Sequence, residues 1–197
     1  MYDCIYTPHC TRFNCDLACP LRAEVSYWME RCKINMDNPI LNSSDKSISD
    51  ASKIIESSLG SIVSIQCKDT MMMGDLLSYV AICLHGTGIA FTDGIYKLNF
   101  SEYIDEIKRS WQTKVEPDSL EYMRIWTESE RYVIINGLDY IKFGDFESQT
   151  LLQIIQSRRS PKKATIIVSP DTSHLVGSSN SAFFTMLVGK LEEVRVK

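Results

Sequence analysis

Apolar residues along the chain recur with two spacings, and the change from one to the other marks the elements. Leu21 to Lys33 carries Val25, Trp28, Met29 and Cys32 at helical intervals, and Asn38-Pro39 interrupts that helix. Asn42 to Ser47 is polar and turn-rich, the natural place for a boundary. Asp50 to Ser58 predicts a short helix with Ile54 and Ile55 inward, ended by Gly60. The chain then alternates. Ile62 to Ile65 is a β-branched strand, Gln66 to Met73 a loop, and Gly74 to Leu84 a helix stopping at His85-Gly86. A brief second strand is expected at Gly88 to Phe91. Phe100 to Trp111 and Asp118 to Glu130 read as amphipathic helices, the second opened by Pro117. Tyr132 to Ile135 is the clearest strand, Phe146 to Arg158 a helix, and Ala164 to Val168 another continuous apolar strand. Ala182 to Val188 predicts a short helix and Leu191 to Val196 a terminal strand.

Strands apolar on both faces and separated by helices mean a parallel sheet covered on both sides, because parallel neighbours are joined only by crossovers. The expected class is therefore α/β. The 197 residues suffice for one sizeable core with a small appendage. Hydrophobic residues at 44% and charged residues at 23% exclude global disorder. A net charge of -4 disfavours unspecific attraction to a nucleic-acid backbone. With no apolar run of the ~20 residues a membrane span needs and no secretion signal at Met1 to Cys4, a cytoplasmic protein without a membrane partner is expected.

In open parallel sheets the ligand site lies at the carboxyl ends of the strands. The first strand-to-helix turn runs Cys67-Lys68-Asp69-Thr70-Met71-Met72-Met73-Gly74-Asp75-Leu76. Set against the phosphate-binding pattern G-x-x-x-x-G-K-[ST], Gly74 takes the second glycine, Asp69 the first, Asp75 the lysine and Leu76 the hydroxyl residue. An aspartate in place of the lysine faces phosphate with like charge, a repulsion of about 4 kcal/mol at ~4 Å and intermediate dielectric. Leu76 cannot hold magnesium. The third strand ends in Asn136-Gly137 where an acid would organise a metal, with Asp139 nearby, and Ser169 ends the fourth strand at a polar sensor position.

Taken together, the strand Ile62 to Ile65, the loop ending Gly74-Asp75, the helix Ser101 to Trp111, the segment Tyr132 to Arg158 and the strand Thr165 to Ser169 resemble the AAA+ domain of DnaC/DnaI-type replicative helicase loaders, in the short form carried by phages and mobile elements. The resemblance covers residues 50 to 197 and rests on order and spacing. It implies a P-loop NTPase core, AAA+/RecA-like, and a partner in DNA replication. The family's catalytic residues do not carry over, since Asp75, Leu76, Asn136 and Gly137 stand in their places, and Ala182 to Lys197 lacks the family's paired arginines. ATP is not an expected cofactor on this reading. Lys68, Asp69 and Thr70 complete the degenerate loop.

Residues 1 to 40 form a cysteine-rich segment. Cys4, Cys10, Cys15 and Cys19 have the spacing C-x5-C-x4-C-x3-C, and four thiolates this close suit a tetrahedral structural zinc site. Reduced cysteines packing as small hydrophobes against the Tyr27-Trp28 helix are the alternative, as Cys67 and Cys83 are expected to do in the core. Loaders attach to their helicase through an N-terminal appendage, so the resemblance makes this segment a partner-binding module. Arg158, Arg159, Lys162 and Lys163 form the densest basic patch. A solvated helix end is the simpler reading of it, and contact with single-stranded DNA is the alternative. His174 has no nucleophile linked to it, and Asp145 before Phe146 suits a helix N-cap.

The functional expectation is a non-hydrolysing adaptor or scaffold in DNA replication that binds a replicative helicase. The alternatives are an ATPase loader with a non-standard loop, using Lys68 and Asp139, and a self-assembling homo-oligomeric module.

Overall fold

A computed structural model describes residues 20–35, 45–85, 94–170 and 192–195. The expected strand at Gly88 to Phe91, the helix Ala182 to Val188, His174 and the four cysteines from Cys4 to Cys19 lie outside those residues. Among the described residues five strands form one sheet: β1 (Ile62–Gln66), β2 (Ile95–Asn99), β3 (Tyr132–Asn136), β4 (Ala164–Ser169) and β5 (Glu192–Arg195), in the order β2-β3-β4-β1-β5. Every neighbouring pair is parallel, with Ile62 opposite Thr165, Val63 opposite Glu192, Ile95 opposite Tyr132 and Tyr132 opposite Ala164. The α/β class and the parallel sheet follow as the apolar pattern predicts.

Among the described residues six α-helices accompany the sheet: α1 (Pro20–Arg31), α2 (Asp45–Ser57), α3 (Thr70–His85), α4 (Phe100–Thr113), α5 (Asp118–Ser129) and α6 (Asp145–Ser157). The path from β1 to β2 runs across the sheet one way, over β4 and β3, and the path from β2 through β3 to β4 returns the other way. Right-handed crossovers therefore send the two sets of helices to opposite faces. Trp28 of α1, Cys32 just after it, Ile55 of α2, and Leu77 and Ile82 of α3 pack with Val63, Ile65, Ile134, Ile166 and Val168 in a front layer. Phe100, Ile104, Leu120, Leu151 and Ile155 of α4, α5 and α6 pack with Leu98, Val133, Ile135 and Ile167 in a back layer. Alternation along each strand supplies both layers at once.

Four elements depart from the pattern, the first being α2, which begins at Asp45 inside the polar boundary expected at Asn42 to Ser47. Strand β2 occupies Ile95–Asn99, which was not expected to be a strand, and its central Lys97 is buried. Helix α3 begins at Thr70, so most of the expected loop from Gln66 to Met73 is helical. Asp145 is the first residue of α6, and Gly144 is its N-cap. Helix α1 belongs to the front layer, with Trp28, Cys32 and Ile34 buried there, so the described part of the N-terminal segment packs into the same core as the sheet. The guanidinium of Arg31 lies over the rings of Trp28 and Trp126, at 4.9 and 4.3 Å, and pairs with Glu130, joining α1 to the end of α5.

Candidate crevice at the carboxyl end of the sheet

Strand β1 leads into the front-layer helix α3 while its neighbour β4 is reached through the back-layer helix α6, so the crevice beyond the carboxyl ends of β1 and β4 is where a doubly wound sheet takes a ligand. The turn between β1 and α3 is three residues long: Cys67, Lys68 and Asp69. Lys68 and Asp69 are exposed. Asp69 closes the helix from below. Its Oδ1 accepts the Met72 N–H at 2.9 Å, and its carbonyl accepts the Met73 N–H at 3.1 Å. A helix N-terminus attracts anions through such free amides, and here the chain's own carboxylate has taken that place.

Asp139 stands in the 3-10 turn Leu138–Tyr140 that follows β3, and its Oδ1 accepts the Thr70 hydroxyl at 2.9 Å. Asp69, Thr70 and Asp139 are thus brought together at the mouth of the crevice. The Cys67 thiol beside them is pushed up to about 11, by burial first and then by the charges of Asp69 and Asp139, so it stays protonated at neutral pH and is a poor nucleophile. One backbone and one side-chain bond close the floor, with the Cys67 N–H donating to the Ser169 carbonyl at 3.1 Å and Gln66 Nε2 to the Pro170 carbonyl at 3.2 Å. Ser169 is buried, and alternation puts its side chain on the face of Thr165 and Ile167, away from α3.

The remaining positions of the aligned loop are elsewhere. Because α3 starts at Thr70, Gly74, Asp75 and Leu76 fall in its second turn and face the sheet. Asp75 was expected to face a phosphate pocket. It is instead buried and paired with Lys97 Nζ at 2.5 Å, and its Oδ2 accepts the Asn35 N–H at 3.4 Å. Leu76 is core. Gly74 allows α3 to lie close on β3, since a Cβ there would meet Asn136 Nδ2 at 2.6 Å. Asn136 is fully buried beneath it, donates to Met71 Sδ at 3.3 Å, and leaves its Oδ1 without a hydrogen-bond partner among the described residues. Gly137 adopts φ 74°, and its missing Cβ makes room for Asn99 Oδ1. Of the amides that open α3, that of Met72 is bonded to Asp69, and the turn carries two exposed charges of opposite sign, Lys68 and Asp69.

The basic patch divides. Arg158 is 1% exposed and was missed as a core residue. Its Nε donates to Thr165 Oγ1 at 2.9 Å, Nη1 to the Thr127 and Glu130 carbonyls at 2.6 and 2.9 Å, and Nη2 to the Arg131 and Ala164 carbonyls at 3.2 and 2.7 Å. It cannot contact DNA, because all its donors are spent tying α6 to the starts of β3 and β4. Arg159 and Lys162 are exposed, and Lys163 donates to the Glu128 carbonyl at 2.5 Å. All four residues lie at the amino end of the sheet, opposite the crevice. Among the described residues no cluster of three His, Cys, Asp or Glu side chains could hold a metal, and no helix is long and apolar enough to cross a membrane.

The comparisons add no relative. No family model matches the chain, and no curated protein matches it significantly.

Proposed function

We propose that this chain is a non-hydrolysing, AAA+-like adaptor or scaffold in DNA replication whose partner is a replicative helicase or another replication protein. One observation carries the reading: the turn at which a doubly wound sheet normally takes its ligand is only three residues long and is capped by Asp69 through the Met72 amide. Asp139 adds a second acid beside it. A parallel α/β sheet whose first strand-to-helix turn is capped by the chain's own carboxylate supports binding to macromolecules over turnover. The helicase as partner rests on the resemblance of residues 50 to 197 to loader AAA+ domains.

Two measurements test the reading. Titration of a fluorescent ATP analogue with magnesium is expected to give no saturable signal, and tight magnesium-dependent binding overturns it. Light scattering of the chain mixed with a hexameric replicative helicase is expected to show a complex, and separate elution removes the helicase from the proposal. The segment holding Cys4, Cys10, Cys15 and Cys19 is proposed as a zinc-stabilised attachment module, which native mass spectrometry tests by the presence or absence of one bound zinc. The exposed Arg159 and Lys162, with Lys163, are the remaining candidates for single-stranded DNA, and any such binding is expected to fall steeply with salt.

An ATPase reading has one observation in its favour, the exposed Lys68 at the turn with Asp139 close by. It predicts that Lys68→Glu abolishes turnover, and absence of turnover in the unaltered chain dismisses it.

A further inference from the structure

We propose that the outer face of α5, with the α4–α5 turn, is a docking surface for a basic, amphipathic segment of a partner protein. Helix α5 meets its own core with Leu120 and Thr127, which are buried, and with Met123 and Trp126, which pack on the back layer. A surface helix needs no second apolar face. Yet Tyr122 and Ile125 point outward, 53% and 48% exposed, and Val115 in the preceding turn is 65% exposed. Ile125 lies beside a depression of about 530 Å³ whose other walls are Glu116, Glu121, Arg124 and Glu128. Single exposed apolar residues are ordinary, but here one sits in a concavity with charge around it.

The charge selects the occupant. Arg124 is held by Glu116, so its positive charge is answered locally. Glu121 and Glu128 make no ion pair among the described residues. The rim is therefore acidic around an apolar centre. Phosphate backbones and anionic lipid surfaces are repelled by such a rim. A helical segment with lysines or arginines flanking a large apolar side chain is matched on both counts, with the apolar anchor supplying affinity and the charges supplying orientation and on-rate.

The inference rests on the reading of the chain as a binding protein, and its test is separate from nucleotide titration. The probe is a dye-labelled leucine–lysine amphipathic peptide, followed by fluorescence anisotropy against the full chain, with a leucine–glutamate peptide for comparison. Binding of the first and not the second is expected. Ile125→Ser and the double variant Glu121→Lys/Glu128→Lys should each weaken it at least about tenfold, as loss of a central anchor does. A control pair, Glu56→Lys/Asp105→Lys, makes the same change of net charge at exposed sites off this helix and should leave binding within about twofold, since rim-type charges elsewhere act weakly through screening. Far-ultraviolet circular dichroism confirms that each variant folds. Equal weakening by the control pair, native-like binding by Ile125→Ser, or no binding at all overturns the proposal. So does light scattering that shows the unaltered chain self-associating through Ile125, which would make a second copy the occupant.

Discussion

Gly74, aligned from sequence with a phosphate loop, and Arg158, placed with a solvated basic patch, turn out to be devices of packing. Gly74 is required because α3 crosses β3 with no room for a methyl above Asn136. Gly74→Ala should therefore lose stability: overpacking costs about 1–3 kcal/mol, against a gain of about 1 kcal/mol in helix propensity. In an Asn136→Ala background the clash is gone and the same change should become stabilising by up to about 1 kcal/mol. Urea denaturation of the four proteins checks the reversal of sign, and the same sign in both backgrounds refutes the packing account. Arg158 makes a sharper contrast with its neighbour. Arg158→Met takes a donor from the buried Thr127, Glu130 and Ala164 carbonyls, while the Arg131 carbonyl keeps the Ala164 N–H, and should cost at least about 3 kcal/mol, because each unsatisfied buried group carries a desolvation penalty. Arg158→Lys should recover only part, since an ammonium cannot fork to five acceptors. Arg159→Glu, on the surface, should stay within about 0.5 kcal/mol. Burial pulls the Arg158 pKa down to about 10, so it remains charged at neutral pH.

At the level of elements, long apolar runs were legible and compensated charges were not. Tyr132 to Ile135 and Ala164 to Val168 announce buried strands by themselves, and the spacing of Tyr103, Ile104 and Ile107 announces α4. Ile95–Asn99 carries Lys97 at its centre, and a lysine argues against a strand buried on both faces until its partner is known. That partner is Asp75, 22 residues earlier in the chain. The sequence offered Asp75 as a misplaced phosphate-site residue, so two misreadings share one cause, a pair visible only in three dimensions. The start of α3 was missed for a related reason: three methionines and a glycine suggested a loop, while Asp69 was already a good N-cap. Helix α6 carries a pH-dependent start. Glu147 Oε2 accepts the Gly144 N–H at 2.9 Å and Oε1 pairs with Lys108 of α4 at 2.9 Å. Burial alone would raise its pKa, but Lys108 and the backbone amides of residues 147 and 144 together hold it below the ordinary carboxylate value. A lowered folded pKa gives stability that is present above the unfolded value, about 4.3, and is lost as pH falls through the folded one. Glu147→Gln should therefore be less stable than the unaltered chain at pH 7 and show a shallower loss toward pH 3, measured by thermal melting across that range. Parallel pH curves contradict the assignment.

For the whole molecule, the pair of Asp75 and Lys97 is the junction at which the chain's early part becomes continuous with the sheet. Lys97 Nζ donates to the Lys33 carbonyl at 2.9 Å as well as to Asp75, and Asp75 takes the Asn35 amide, so α1, α3 and β2 meet at one buried ion pair. Breaking such a pair leaves an uncompensated charge, so Asp75→Leu or Lys97→Met alone should cost about 3–5 kcal/mol. Replacing both removes two desolvation penalties together, and the double variant should lie within about 1–2 kcal/mol of the unaltered protein or above it. The strong coupling this cycle predicts would be absent if the pair were exposed. The pair also bears on cooperativity. Trp28 of α1 and Trp126 of α5 share the Arg31 guanidinium, so their fluorescence reports whether the N-terminal helix separates from the body. In the unaltered chain, tryptophan fluorescence and far-ultraviolet circular dichroism should give coincident urea transitions, as a single cooperative unit does. In Lys97→Met, Asp75 loses its buried ammonium partner and the carbonyl of Lys33 loses its donor, so α1 should detach first and the fluorescence transition should precede the other. Coincident transitions in that variant would mean that the apolar face of α1, through Trp28, Cys32 and Ile34, together with the pairing of Arg31 and Glu130 suffices to hold it, and that the Asp75–Lys97 pair adds alignment without adding attachment.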